Sequence, residues 1–156
     1  MKTNWKALIL SIAIPLAIGG ISAALTMGSM ESFAALTKPS LSPPGWFFPI
    51  VWTILFTLMG ISSYLIYTSD APQAKKSSAL TVYGIQLAVN FFWSLIFFNL
   101  NAYLFAFFWL LLLWGLIAVT IAKFWQINQT AALLLVPYLV WVTFAGYLNL
   151  AIYFLN

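Results

Sequence analysis

Five stretches of the chain, at about 6–27, 46–68, 79–99, 102–123 and 131–155, are almost continuously apolar, and the last ten residues at either end of each hold hardly a charge. A bilayer core of about 30 Å takes roughly 20 such residues as one α-helix. No water is available there to satisfy a bare backbone, so a spanning segment must make its hydrogen bonds internally, as a helix does. The chain of 156 residues is 64% hydrophobic and 5% charged, which leaves no length for a soluble domain beside the five runs. It reads as an all-α integral membrane protein: a single domain over 1–156, a bundle of five transmembrane helices with a long proline-rich loop between the first two. The first run, with its basic start and small-residue end, has the look of a secretory signal, but it is long enough to span and is expected to stay as the first helix.

The missing residue types narrow the chemistry. With no cysteine and no histidine there is no thiolate nucleophile, no disulfide and none of the usual ligands for zinc or haem iron. Glu31 and Asp70 are the only carboxylates and lie far apart in sequence, so no metal site and no required cofactor are expected. No acidic or basic side chain falls well inside a span, which argues against a proton-coupled pump. The net charge of +4 concerns topology, not nucleic acid. Alternating spans put Lys2, Lys6, Lys75, Lys76 and Lys123 on one side and Lys38 alone on the other. The N-terminus is therefore expected in the cytoplasm, with the first loop and the C-terminus on the opposite face.

Three of the helices carry aromatic and polar residues on one face. The second shows Trp52, Phe56, Met59 and Ser63 at helical spacing, the third Gln86, Asn90, Trp93 and Phe97, the fifth Tyr138, Trp141, Ala145, Leu148 and Asn149. A single Trp of this kind commonly anchors a span at the lipid interface. Asn90 lies well inside a span, where an unpaired amide is costly, so it must face a helix, a water or a ligand. A cavity walled by indole and phenyl faces with a few amides and hydroxyls suits a large, flat, apolar molecule with a polar edge, such as a porphyrin. Small residues at Gly19 and Ala23, and at Gly20 and Ala24, suit close helix packing.

The loop and the helix that follows read "KPSLSPPGWFFPIVW", residues 38–52. Its prolines stiffen the backbone, and those at 43 and 44 suit a helix entrance. A stiff loop loses little ordering entropy when a ligand binds beneath it, so it is read as a lid, with Trp46 over the mouth, and otherwise as a rigid connector.

The segments "KPSLSPPGWFFPIVWTILF" (38–56), "NFFWSLIFF" (90–98) and "PYLVWVTFAGYLN" (137–149) together resemble the signatures of the translocator protein family, also called the tryptophan-rich sensory protein or peripheral-type benzodiazepine receptor family. The resemblance covers essentially the whole chain and points to a bacterial member in the cell membrane. It implies a five-helix bundle, forming a homodimer, whose pocket takes porphyrins such as protoporphyrin IX and synthetic benzodiazepine or isoquinoline carboxamide ligands. Carried over by motif, the pocket comprises Trp52, Asn90, Trp93, Trp141, Phe144, Ala145 and Leu148, with Pro43, Pro44 and Trp46 above it and Phe105 from the fourth helix. Trp52 and Trp141 are the candidates for light-dependent porphyrin breakdown, since an indole can give an electron to an excited pigment. Leu41 and Phe56 stand where relatives commonly have Trp and Tyr, and the tail "GYLNLAIYFLN" lacks the basic residue of the animal sterol pattern, so tight sterol binding is not expected. A receptor that degrades its pigment, a porphyrin transporter, and a structural or partner-binding membrane protein are the three functional readings. No acid–base or nucleophile–base pair is visible, so any catalysis would rest on the pigment's own photochemistry.

Overall fold

The computed structural model describes residues 2–156 and winds them into seven α-helices that form five membrane-length columns, with no strand among the described residues. In the first column, α1 (Trp5–Thr26) starts at Asn4, whose side chain accepts the Ala7 N–H at 3.1 Å, a normal N-cap. The column does not stop at 27 as the hydropathy suggested. It tightens into a 3-10 turn, Met27–Ser29, and continues as α2 (Met30–Ala34). Glu31 sits in the first turn of α2, where a carboxylate is favourable, and the Lys38 ammonium takes the Ala34 carbonyl at the far end at 3.2 Å. Both charges stabilise a helix end.

The second column, α3 (Phe47–Tyr67), lies within a residue of its expected bounds. The third, α4 (Gln73–Ser94), begins six residues before the expected 79. Hydropathy reports contact with lipid and not helicity, so the polar first turns of α4 were hidden. They are tied down by Lys76, whose ammonium donates to the Tyr67 and Ser69 carbonyls at 2.9 and 3.0 Å, closing the end of α3. A π-turn, Leu95–Asn99, ends the column. The Leu100 N–H reaches back to the Leu95 carbonyl and the Ala102 N–H to that of Ile96, with Asn101 in the left-handed region at φ 52. Asn tolerates that conformation, and the wide turn rotates the end of the column. The fourth column, α5 (Tyr103–Trp125), follows directly.

The fifth column is broken. Its first part, α6 (Gln129–Leu134), starts two residues before the expected 131 and is capped by Asn128. The break before α7 (Val136–Leu155) follows from Pro137, which has no N–H to give to the preceding turn. The Leu135 N–H shifts to the Ala132 carbonyl at 3.0 Å. The Ala131 carbonyl is taken instead by the buried Ser62 hydroxyl of α3 at 2.7 Å.

The tightest crossing is between α1 and α3. A Cβ on Gly60 would meet the Ile12 backbone and come within 2.7 Å of the Ser11 carbonyl. That carbonyl is the one Pro15, lacking an N–H, leaves free in α1. Gly19 plays the same part for a side chain, since a Cβ there would lie 2.5 Å from the Phe56 ring. Gly20, its neighbour in the small-residue pattern, has nothing within 4 Å and faces a cavity. Contacts at the two ends fix the grouping of the columns. Asn4 N–H donates to the Tyr64 hydroxyl at 2.9 Å and Lys123 to Ser78 at 2.9 Å at one end, while Ser29 donates to Asn99 at 2.6 Å at the other. Lys38 thus stands at the opposite end of the bundle from the other five lysines.

Candidate functional site

Under the first loop the columns separate around a cavity of about 900 Å³. Its walls come from α1, α2, α3, α4 with its π-turn, and α7, and loop residues 38–45 close one end. The local sequence explains the shape. Small residues on α1, Gly19, Gly20 and Ala23, leave room on one side, and large rings fill the facing sides. Trp52 stacks on Phe56 with centroids 5.5 Å apart and 28° between planes, and Trp93 on Phe97 at 5.3 Å and 26°. Trp141 meets Trp52 edge-on at 6.5 Å and 89°. The π-turn matters here, because it brings consecutive Phe97 and Phe98 both to the wall, which a regular helix would aim about 100° apart.

The mid-span amides, which need a helix, a water or a ligand as partner, are paired between helices. Asn90 donates to the Tyr138 hydroxyl at 2.6 Å, and Tyr138 donates on to the Gln86 side-chain oxygen at 2.7 Å. Trp93 donates its indole N–H to Asn149 at 3.1 Å, and Asn149 donates to the Tyr103 carbonyl at 2.7 Å. Asn90, Tyr138, Gln86 and Asn149 are all nearly inaccessible. Trp141 differs from Trp93, because its indole N–H is buried among rings and has no hydrogen-bond partner.

Of the eleven pocket residues carried over by motif, eight meet around this one cavity: Pro43 and Pro44 from the loop, Trp52 from α3, Asn90 and Trp93 from α4, and Trp141, Ala145 and Leu148 from α7. Three do not reach its wall. The turn closed by the Phe47 N–H on the Pro44 carbonyl at 3.0 Å carries Trp46 outward, where it is 67% exposed and touches Phe47 edge-on. It does not cover the mouth as the lid reading expected. Phe105 is 57% exposed beside Trp109, since α5 contributes nothing to the wall. Phe144 stands beside Trp141, with ring centroids 5.6 Å apart, and packs it from outside. The sequence reading also passed over the contribution of the first column, with Ser22, Met30 and Phe33, and over Lys38. The small-residue stripe of α1 was the available signal, since a face stripped of bulk borders either a helix or a space.

The model of the TspO/MBR family matches residues 11–155. The chain is 38% identical to the tryptophan-rich protein TspO of Chlorobaculum tepidum over 100% of this chain and 99% of that protein. It is 34% identical to the translocator protein of Bos taurus, covering 96% of this chain and 89% of the relative. Against the tryptophan-rich sensory protein of Cereibacter sphaeroides the identity is 33%, over 76% and 73%.

Proposed function

The chain belongs to the TspO/MBR family of membrane proteins, and from that premise we propose that it is a membrane receptor that binds a tetrapyrrole in the cavity under its first loop and promotes the pigment's light-dependent oxidation. The observation that carries this reading is the wall itself: two stacked aromatic pairs, Trp52 with Phe56 and Trp93 with Phe97, on different helices, with Trp141 set edge-on to the first. Flat apolar rings are what such faces bind best, and a volume of about 900 Å³ lies in the range of ligand sites. The name of the relative from Cereibacter sphaeroides, a sensory protein, agrees with a receptor role. Neutral benzodiazepine and isoquinoline carboxamide ligands belong to the same site in this proposal, and the receptor works as a homodimer.

The protein's share in the photochemistry is orientation and an oxidisable indole, and dioxygen is the oxidant consumed. The indole gives one electron to the excited pigment, and the reduced pigment passes it to dioxygen. The indole radical takes an electron back from the macrocycle, and the reduced oxygen species adds to the oxidised ring. Of the two candidates, Trp52 and Trp141, Trp141 is tested first, because its indole N–H is buried among rings without a hydrogen-bond partner and its ring meets that of Trp52 edge-on at 6.5 Å. Protoporphyrin IX fluorescence in nanodiscs, followed in the dark and under illumination, tests this on the parent and on Trp141→Phe. The expected result is that both bind, and that only the parent converts the pigment to its product. Equal conversion by both would reduce Trp141 to a piece of wall.

A carrier is the second reading, and one observation favours it. Only 11% of the most apolar stretch of the first column is buried within the protein, against 28–44% for the other four. Beyond its close crossing with α3 the first column is thus turned largely to lipid, and a cavity wall so exposed offers a lipophile a route of exchange with the bilayer. Porphyrin flux into vesicles with the protein, above that into empty ones, is the outcome that would put transport first.

A further inference from the structure

Among all the residues that line the cavity, one is charged: Lys38, on the loop that closes its end. Neither carboxylate of the chain reaches the wall; Glu31 is exposed on α2, and Asp70 follows the far end of α3. The Lys38 ammonium is held by neutral groups alone. It donates to the Ala34 and Leu36 carbonyls at 3.2 and 3.3 Å and sits 4.7 Å from the centre of the Phe33 ring, itself part of the wall. An ammonium has three N–H donors, so two carbonyls leave one unspent. The ring face and the helix-end carbonyls fix where the charge stands without neutralising it.

We infer that Lys38 is a specificity-determining residue, which selects flat ligands carrying a carboxylate and seats that carboxylate at the loop end of the cavity. This rests on the receptor reading above and deepens it, since a tetrapyrrole with acidic side chains is a ligand of this class. The physical reason is the cost of a carboxylate in an apolar space. It enters only with a partner, and a charge-assisted hydrogen bond to a positioned ammonium is the strong form of partnership. The remaining wall offers the ligand hydroxyls such as Ser22 and Ser94, which donate but carry no compensating charge. With the acidic edge at Lys38, the ring extends into the cavity whose wall includes Trp52 and Trp93. Lys38 is half-buried at the rim, so solvent screens the pair in part and the selection is moderate.

The test compares protoporphyrin IX with its uncharged dimethyl ester, by fluorescence titration in nanodiscs of zwitterionic lipid, with partition into empty discs subtracted. Three proteins are titrated: the parent, Lys38→Met, which keeps the length and loses the charge, and Lys38→Arg. The parent is expected to prefer the free acid by roughly tenfold, about 1.4 kcal/mol. Lys38→Met is expected to bring the ratio near one through weaker acid binding, with ester binding intact, which also shows that the variant is folded. Lys38→Arg should restore most of the preference. A parent that binds acid and ester alike would overturn the inference and leave the receptor reading standing. So would Lys38→Met if it weakened both ligands equally, since that marks a structural lysine. If the parent bound neither porphyrin, the receptor reading itself would fall and carry this inference with it.

Discussion

At the scale of single residues, one hydroxyl behind the cavity wall holds the wall residue Asn90 in place. Tyr138 accepts from Asn90 and donates to Gln86, so α7 is pinned to α4 by one oxygen between two buried amides. Tyr138→Phe keeps the ring and removes that oxygen, leaving both amides without their partner. An orphaned buried group costs about 1–3 kcal/mol, and interhelical bonds in membranes lie toward the low end, so the variant should lose about 2 kcal/mol. In thermal unfolding in detergent this should appear as a drop of roughly 5 °C in Tm; an unchanged Tm would mean that the amides find other partners. The sequence made half of this legible. A mid-span Asn90 must be paired, because hydrocarbon offers nothing. Which group pairs it depends on the rotation of a helix 48 residues away, and no local pattern encodes that. The same limit separates Trp52 from Trp46: the two share type and neighbourhood, and only the turn after Pro44 sends one into the cavity and the other outward.

At the scale of elements, the end of α7 and the first loop act as a pair. Asn156 accepts the Thr37 N–H at 3.1 Å and donates to the Thr37 carbonyl at 2.8 Å, while the same amide nitrogen also bonds the Ile152 carbonyl of its own helix at 2.8 Å. One side chain thus ties α7 to the segment that leads directly into Lys38 and the prolines over the cavity. If the loop is a lid, Asn156→Ala should release it at one point and raise the porphyrin off-rate roughly fivefold, the worth of about one net hydrogen bond, with little change in Tm. An off-rate equal to the parent's would leave the stiffness of the prolines as the loop's sole restraint and favour a rigid connector. No sequence signal marked this tie, because a single Asn after an apolar run looks like a frayed helix end. The five columns themselves were plain, since each must be long and apolar to cross. Their ends were not, at Ala34, Gln73 and Leu135, because there capping, charge at a helix end and one missing N–H decide, and hydropathy is blind to all three.

At the scale of the whole molecule, the bundle is polar in charge along its axis. Lys2, Lys6, Lys75, Lys76 and Lys123 belong to one end, Lys38 to the other, and the contacts of Asn4 with Tyr64 and of Lys123 with Ser78 show the five to be gathered at that end in the folded protein. Basic residues in short loops are retained on the cytoplasmic side during insertion, and all of these lie within a few residues of a span. The five-lysine end is therefore expected in the cytoplasm, and the cavity's loop, with Lys38 and its proposed selection for anionic ligands, on the outer face. The absence of native cysteine makes this directly readable. Leu41→Cys, at a loop position 68% exposed, should react with a membrane-impermeant maleimide on intact cells. Asp70→Cys, on the exposed turn between α3 and α4, should react only after permeabilisation. The reverse pattern would invert the protein and make the cavity open toward the cell's own tetrapyrroles. Labelling of both sites on intact cells would mean that a five-to-one charge difference fails to set a single orientation, and a mixed population would then have to be explained by something other than its lysines.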